Sequence, residues 1–451
     1  MRFGRLASAS TAGLAGFVAG AVLTLSLQGT GLPRHGRPGQ GPVPVPVTTP
    51  EAPRTFLAWT PGGLPAGFRQ RVAELPGMQR TVVVASDNTW MKRSTTPQGE
   101  VVDDPQDGYR IPVEVAAVNP REYSPFLPPA ERGVIVALAD GQGILGESSA
   151  RLRHLGPGAV LQFGSVRVPI AAVLPDELVG AQELMVSRHL GLEIGVTRDR
   201  YALLQPSGHA TDASLTREIR TILPSGLPLR VRAPGETPYF RQGDAVLPPV
   251  QIKLLFGEFA AKPDPNRPGY LLVDPAWERA HIATERVPIL GRITCNVALF
   301  PQVRGVMREL IADGLAGSIH SYSGCYARRY SNRDPSQAIS HHTWGIALDL
   351  NVPENPYGAT PHQDPRMIAA FEKWGFIWGG MFVLPDGMHF EYRRPPAQGA
   401  QDSAKGAGSM RCPHLLGNRR LLPPNPEHAS RGKTRVGFCS LHGHPKATAR
   451  F

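Results

Sequence analysis

Charge is scarce in this 451-residue chain: 19% of its residues are Asp, Glu, Lys or Arg, against 41% that are hydrophobic. Chains that stay disordered are charge-rich and apolar-poor, so wholesale disorder is excluded. The same hydrophobic fraction is too low for a polytopic membrane protein. No repeat of 20–50 residues is visible, which sets aside a repeat architecture. Long uninterrupted helical stretches are also missing, because 49 Gly and 46 Pro break the chain throughout. Proline removes a helix donor and clashes with the preceding turn, so a helical bundle is excluded and a loop-rich α+β body of two to four domains is expected.

Net positive charge is missing from the body of the chain. The formal charge of +11 sits at the ends: residues 1–54 hold five Arg and one Glu, residues 393–451 hold eleven Lys and Arg against two acidic residues, and 55–392 keep 32 basic and 34 acidic residues. A nucleic-acid-binding body carries its own basic face, so nucleic acid is excluded as the partner. Cationic ends suit an anionic cell surface or wall polymer, or stand as solvated tails.

Arg2 and Arg5 precede 28 uncharged residues, Leu6 to Pro33, with the most apolar stretch over 14–27. A charged segment followed by an apolar one is an export signal. The run is also long enough to cross a bilayer with Arg2 and Arg5 on the cytoplasmic side, and no clean small-x-small cleavage site stands near 27–31. Residues 1–31 are therefore expected to be a signal peptide or an uncleaved signal anchor, which in the second case makes the membrane a partner. Either way the rest is expected to be exported, to the cell surface or the wall. Residues 32–54 are a Pro/Gly-rich, extended linker. In an oxidising compartment four cysteines are compatible with two disulfides. Pairing Cys295 with Cys325 and Cys412 with Cys439 is the simplest of three connectivities.

Over 55–284, strand-like runs at 81–85, 109–118, 133–139 and 159–170 alternate with turn signals, and helices are expected over 176–190 and 212–223. This is a separate α+β domain of unknown type and function. Its histidines, His154, His189, His209 and His281, are scattered and form no catalytic constellation. The pattern changes after Val287. Val303, Met307, Leu310 and Ile311 fall at helical spacing within 302–315. A second helix is capped by Asp364, has Pro365 in its first turn, buries Met367, Ile368, Phe371 and Trp374, and ends at Gly375.

Two stretches carry chemistry. The first, Ser-His-His-Thr-Trp-Gly-Ile-Ala-Leu-Asp-Leu-Asn at 340–351, alternates Ile346, Leu348 and Leu350 with Ala347, Asp349 and Asn351. Read as a strand, it sends the aliphatics to a core and Asp349 to the opposite face. An unpaired charge so placed is costly, and a metal ion supplies its partner. In the second stretch, Asp-Gly-Met-His-Phe-Glu-Tyr at 386–392, Met388, Phe390 and Tyr392 share one face while His389 and Glu391 share the other. Two such strands can converge on one ion. His342, Asp349 and His389 then form a His₂-Asp set that leaves a fourth position for water, the catalytic form of a Zn²⁺ site. Asp386, three residues before His389, can reach that water without ligating the metal and is the candidate general base.

The two motifs, Ser-x-His-x-x-Gly-x-Ala-x-Asp over 340–349 and Asp-x-x-His-Phe-Glu over 386–391, resemble those of the M15 peptidases. These are the VanY-like D-alanyl-D-alanine carboxypeptidases and the L-alanyl-D-glutamate endopeptidases of bacterial cell walls. The resemblance covers 287–391, under a quarter of the chain. It implies a small α+β hedgehog/D-Ala-D-Ala-peptidase-like zinc domain over 285–395. It implies one catalytic zinc held by His342, Asp349 and His389, with Asp386 as base and peptidoglycan stem peptides as substrate. It also implies an arginine ahead of the first histidine to hold the substrate carbonyl: Arg329, with Arg328 as the fallback. Asp-x-x-His-Phe-Glu matches the endopeptidase branch better than the carboxypeptidase branch, which has Glu at the first position.

Rival readings remain beside this one. A hedgehog-like domain can keep zinc as a non-catalytic wall-binding module, although Asp386 speaks for catalysis. Ser-Gly-Cys-Tyr-Ala-Arg at 323–328 faintly resembles the cysteine stretch of L,D-transpeptidases, but the histidine before the cysteine is absent and a disulfide explains Cys325 better. His341 is read as a surface or supporting group, His320 and His362 as loop residues, and Trp344 and Trp378 as packing. Glu391 is left open between orienting His389 and facing solvent. The basic tail, 396–451, is expected to be disordered, and its Cys and His spacing matches no standard zinc finger.

Overall fold

The β-branched and aliphatic runs of the first half pair into one mixed sheet. The computed structural model describes residues 54–397 except 238, 245 and 246. The export segment 1–31, the 32–54 linker apart from Arg54, and the tail with Cys412 and Cys439 lie outside the described residues. The first region runs β1 (Phe56–Trp59), α1 (Phe68–Ala73), β2 (Met78–Thr95), β3 (Val101–Asp103), β4 (Ile111–Val118), α2 (Pro120–Tyr123), β5 (Gly143–Gly146) and α3 (Glu147–Arg153). It continues with β6 (Val160–Phe163), β7 (Val166–Leu174), β8 (Leu184–Ser187), α4 (Arg188–Glu193), β9 (Asp199–Pro206), α5 (Asp212–Ile222) and β10 (Arg230–Arg232).

The strand order is β10-β1-β9-β2-β4-β8-β5-β7-β6, and β6 pairs again with β2, so six of the strands close into a ring. The 18-residue β2 makes this possible by pairing with β9 near its start, β4 in its middle and β6 at its end. Alternation along β4 feeds two cores. Ile111, Val113, Val115 and Ala117 join Met91, Leu161, Phe163 and Leu184, whereas Ala116 and Val118 join Val82, Val84 and Tyr201. Glu183, just before β8, is a fully buried acid. It pairs with Arg153 at 2.6 Å and Lys253 at 2.9 Å, and Glu258 pairs with both cations.

Two sequence expectations are corrected in this region. Residues 133–139 form not a strand but a 3₁₀ helix, Val134–Asp140. Ile135 and Leu138, three apart, are buried while Val136 is 62% exposed, which is the three-residue period of a 3₁₀ turn rather than the alternation of a strand. Residues 176–190 are not one helix. Gly180 and Ala181 adopt positive φ, after which Leu184–Ser187 pairs in parallel with β4. Tertiary pairing overrides the helical propensity there. The helix expected over 212–223 is α5, closed by a capping box between Thr211 and Ser214.

The second part follows with α6 (Pro249–Phe256), β11 (Ala261–Pro263), β12 (Leu271–Val273), α7 (Pro275–His281), β13 (Ile282–Val287), β14 (Gly291–Asn296) and α8 (Phe300–Ala312). The last elements are β15 (Tyr322–Gly324), β16 (Ala347–Leu350), α9 (Pro365–Lys373), β17 (Phe376–Trp378) and β18 (His389–Tyr392). The 284/285 boundary drawn from the sequence falls inside β13, which forms a hairpin with β14. The last four strands form a sheet in the order β15-β16-β18-β17. Asp364 caps α9 by accepting from the Arg366 amide, as its sequence implies. Lys373 and the Trp374 indole both reach Glu309 and tie α9 to α8. Phe371 packs against Phe390 and Phe376 at ring separations of 4.4 and 5.4 Å. Each such buried ring contributes about 1.5–3 kcal/mol and secures β18 from its apolar face. Among the described residues no helix is long and apolar enough to cross a membrane.

Candidate metal centre

Strand register creates the centre. β16 and β18 run antiparallel with Asp349 directly opposite His389, and Gly324 of β15 is opposite Asp349 on the other side. Directly opposed residues share a face, so the Asp349 and His389 side chains meet. His342 arrives from a 3₁₀ turn, His341–Trp344, whose Ser340 hydroxyl accepts from the His342 amide. Gly345 ends that turn at φ 67°, and a Cβ there would lie 2.6 Å from the Asn296 amide nitrogen. Only glycine lets the turn close against β14, where Asn296 N–H donates to the Gly345 carbonyl.

Asp349 Oδ1 lies 3.2 Å from His342 Nε2 and 3.2 Å from His389 Nδ1. One ligand atom from each of the three residues falls within 4.8 Å of the others. Donors about 2.0–2.1 Å from a tetrahedral zinc stand about 3.3 Å apart, and the two distances from Asp349 match that spacing. The far side of each ring fixes its tautomer. His342 Nδ1 is 2.9 Å from the Cys325 carbonyl, which can only accept, so Nδ1 carries the proton and Nε2 offers its lone pair. His389 Nε2 is 3.0 Å from Glu391 Oε2 and leaves Nδ1 to face Asp349. Three acceptor atoms gathered this closely repel unless a cation or proton lies between them.

The electrostatics agree. Burial alone would raise the Asp349 carboxyl, but without a metal the His342 and His389 imidazoles, when protonated, hold it well below the usual carboxylate range. Burial would lower His389, yet Asp349 and Glu391 push it up to about 10. That field favours positive charge, which a divalent cation would supply in place of the proton. Glu391 does not face solvent: it is 4% exposed and also accepts from His341 Nδ1 at 2.7 Å. Burial would raise it, but His341 and His389 hold it well below its ordinary value. His341 stays outside the three-residue cluster and grips Glu391.

Asp386 and Arg329 both line the same cleft of about 590 Å³, as do Tyr270, Arg333 and Phe382. Burial pushes the Asp386 carboxyl above its ordinary value, while His389 pulls it down. Its Oδ1 is buried without a hydrogen-bond partner. Gly379 packs directly beneath, where a Cβ would stand 2.6 Å from the Asp386 carbonyl oxygen and 3.2 Å from His389 Cβ. Arg329 Nη2 is 3.9 Å from Asp349 Oδ2. Arg328, the fallback, turns instead to Glu278 at 3.4 Å. Cys325 is bonded to Cys295, so it has no free thiol to serve as a transpeptidase nucleophile.

Sequence reading missed the scaffold behind these groups. Asn351, at positive φ, accepts from the His320 and Ser321 amides and donates to Gln363, and Gln363 Nε2 donates to the Leu350 and Gly387 carbonyls. This buried amide pair fastens the end of β16 to the turn after Asp386. A non-glycine residue that favours the left-handed region, two places after a candidate ligand, was the signal available. Trp344 and Trp378 serve packing, as expected, and each indole donates to a backbone carbonyl, of Gly257 and Gly387 respectively.

Residues 333–392 match a peptidase M15 family model described as D-alanyl-D-alanine carboxypeptidase. The match spans both motifs that carried the resemblance and marks the carboxyl-terminal part of the described chain as peptidase-like. Solved structures similar to this chain include the periplasmic region of MacB from Actinobacillus actinomycetemcomitans, at 11% identity and a TM-score of 0.28, covering 40% of this chain and 88% of that one. Another is the extracellular domain of the ABC-type transporter YknZ from Gram-positive bacteria, at 13% identity and a TM-score of 0.27, covering 40% and 99%. No curated protein matches.

Proposed function

We propose that residues 285–395 are a zinc-dependent peptidase of hedgehog/D-Ala-D-Ala-peptidase-like fold that hydrolyses peptide bonds in peptidoglycan stem peptides. The observation that carries this reading is the meeting of His342 Nε2, Asp349 Oδ1 and His389 Nδ1 beside a buried carboxylate, Asp386, that has an unpaired oxygen. A zinc ion held by those three atoms would supply Lewis acidity toward a peptide carbonyl and toward water near neutral pH. Asp386 Oδ1 takes the proton from the attacking water and returns it to the leaving nitrogen, so that one peptide bond and one water become a carboxylate and an amine. Arg329 donates to the carbonyl oxygen as negative charge develops on it. Glu391 and the Cys325 carbonyl hold the two imidazoles in the tautomers the chemistry needs. Export is supported by the charged-then-apolar segment of residues 1–31 and by the Cys295–Cys325 disulfide, a bond typical of oxidising compartments.

The test is mass spectrometry of muropeptides incubated with the full-length chain. Shortened stem peptides are expected, with loss of activity on chelation and recovery on adding zinc. Asp386→Asn should lower turnover by about 10²–10⁴-fold while the chain still binds one zinc. Intact muropeptides with the zinc-loaded protein, or undiminished hydrolysis by Asp386→Asn, would refute the reading.

A further inference from the structure

Among the described residues, the first region reaches the candidate site through a loop that begins with Arg329. Residues 329–340 fold back on themselves: the Ser340 amide donates to the Arg329 carbonyl, Tyr330 bridges Ile339, and the Ser331 amide donates to the Ala338 carbonyl. One arm of this loop begins with Arg329. The other runs through Ser340 into the turn that bears His342. Ser331, Asn332, Arg333, Gln337 and Ala338 line the cleft. One side of the loop rests on the residues before β12, where the Tyr330 amide donates to the Gly269 carbonyl and Arg333 Nε to the Tyr270 hydroxyl.

The tip of the loop is held from across the molecule. The Ser336 carbonyl accepts from Arg198 Nη1 and, at 3.0 Å, from Arg200 Nη2. Arg200 is itself fixed, donating to the Ser86 carbonyl at 2.8 Å and to Asp87 Oδ1 at 2.5 Å. The other Asp87 oxygen accepts from the amides of Thr197 and Arg198. The side chains of Arg200 and Asp87 are each only 13% exposed. A largely buried guanidinium spread over three acceptors has little freedom left, so its hold on Ser336 is stiff.

Resting on the zinc-peptidase reading above, we propose that Arg198 and Arg200 are positioning residues. Through the Ser336 carbonyl they keep the 329–340 loop, and with it Arg329, at the substrate carbonyl. The 55–284 region is then a structural part of the active site rather than only a spacer. Small displacements matter at such a position, because misplacing a catalytic donor by about 1 Å can cost about a hundredfold in rate. Arg329 acts on developing charge, so its displacement should lower kcat more than it raises KM.

The experiment compares the full chain with Arg198→Ala/Arg200→Ala, Arg200→Lys, Arg329→Ala and the triple variant, with rates normalised to bound zinc. Hydrogen exchange of the 329–340 amides is followed in the same samples. The double variant is expected to exchange faster at Ser331 and Ser340 and to lose about ten- to a hundredfold in kcat. Arg200→Lys, which keeps a cation beside Asp87 but not the fork, should fall between. The triple variant should be no slower than Arg329→Ala alone, because the clamp works through that residue. Unchanged exchange would overturn the clamp, and additive losses in the triple variant would overturn its action through Arg329. A wild-type chain inert toward muropeptides would instead sink the peptidase reading, and with it the catalytic role given to the clamp; exchange would still decide the contact.

Discussion

At the scale of single residues the centre depends on which nitrogen of each imidazole keeps its proton. Glu391 decides this for His389 and is in turn gripped by His341 at 2.7 Å, so a carboxylate whose sequence fits either solvent or support turns out to orient a candidate ligand. Removing its charge while keeping its shape should loosen the ring and make His389 a poorer donor. Glu391→Gln is therefore expected to bind zinc about 10–100-fold more weakly, as read by competition with a chelating dye, with the rest of the fold intact. Unaltered zinc affinity would mean that Glu391 is only a packed acid. His341→Gln, which removes the outer grip alone, should have the smaller effect.

At the scale of elements, the strands and turns around the candidate ligands are joined by one covalent tie. Cys295 precedes Asn296, the last residue of β14, which holds the Gly345 carbonyl, and Cys325 follows β15 and offers its carbonyl to His342. The bond closes a loop with a sequence separation of 30. A loop of that length stabilises the folded chain by about 3–4 kcal/mol through the entropy removed from the unfolded state. Cys295→Ser/Cys325→Ser should unfold at correspondingly lower denaturant while each folded, zinc-loaded molecule keeps its hydrolytic rate. Loss of all hydrolysis by well-folded protein would return Cys325 to the chemistry. This scale is also where the sequence was most legible. Alternation at 346–350 and 388–392 marked both strands of the centre, and Asp364, Pro365 and Gly375 marked both ends of α9. The 3₁₀ turn at 134–140 and the strand at 184–187 were illegible, because a three-residue period and a parallel partner 69 residues away leave no local signature. The pairing of Val115 with Leu184 shows that distance.

At the scale of the whole molecule, what the sequence withheld was the relation between its two halves. The motifs at 340–349 and 386–391 identify a site, but Asp87, Arg198 and Arg200 look like ordinary surface charges until the 329–340 loop is laid against them. The same holds for the buried charges farther from the cleft. Glu183 stands just before β8 of the first sheet and Arg153 on α3, whereas Lys253 belongs to α6, whose last residue, Phe256, packs edge-on against Tyr392 of β18 at 4.9 Å. The cluster therefore links the ring of strands to the strand that bears His389. Burial would raise the Glu183 carboxyl, but Lys253 and Arg153 outweigh it and hold it below its ordinary value. A carboxyl whose folded pKa is depressed adds stability that is complete above its unfolded value, about 4.3, and is lost as pH falls through the folded value. Stability should accordingly decline on acidification below about pH 4. Glu183→Gln leaves two buried cations sharing Glu258 and should cost about 3–5 kcal/mol at neutral pH. Because the variant has no carboxyl to protonate there, its stability should also fall less steeply in acid than that of the wild type. Urea titrations at pH 7 and at several pH values below 4.5 measure both quantities, and a variant with the wild-type midpoint and acid slope would show that the cluster contributes nothing to joining the two halves.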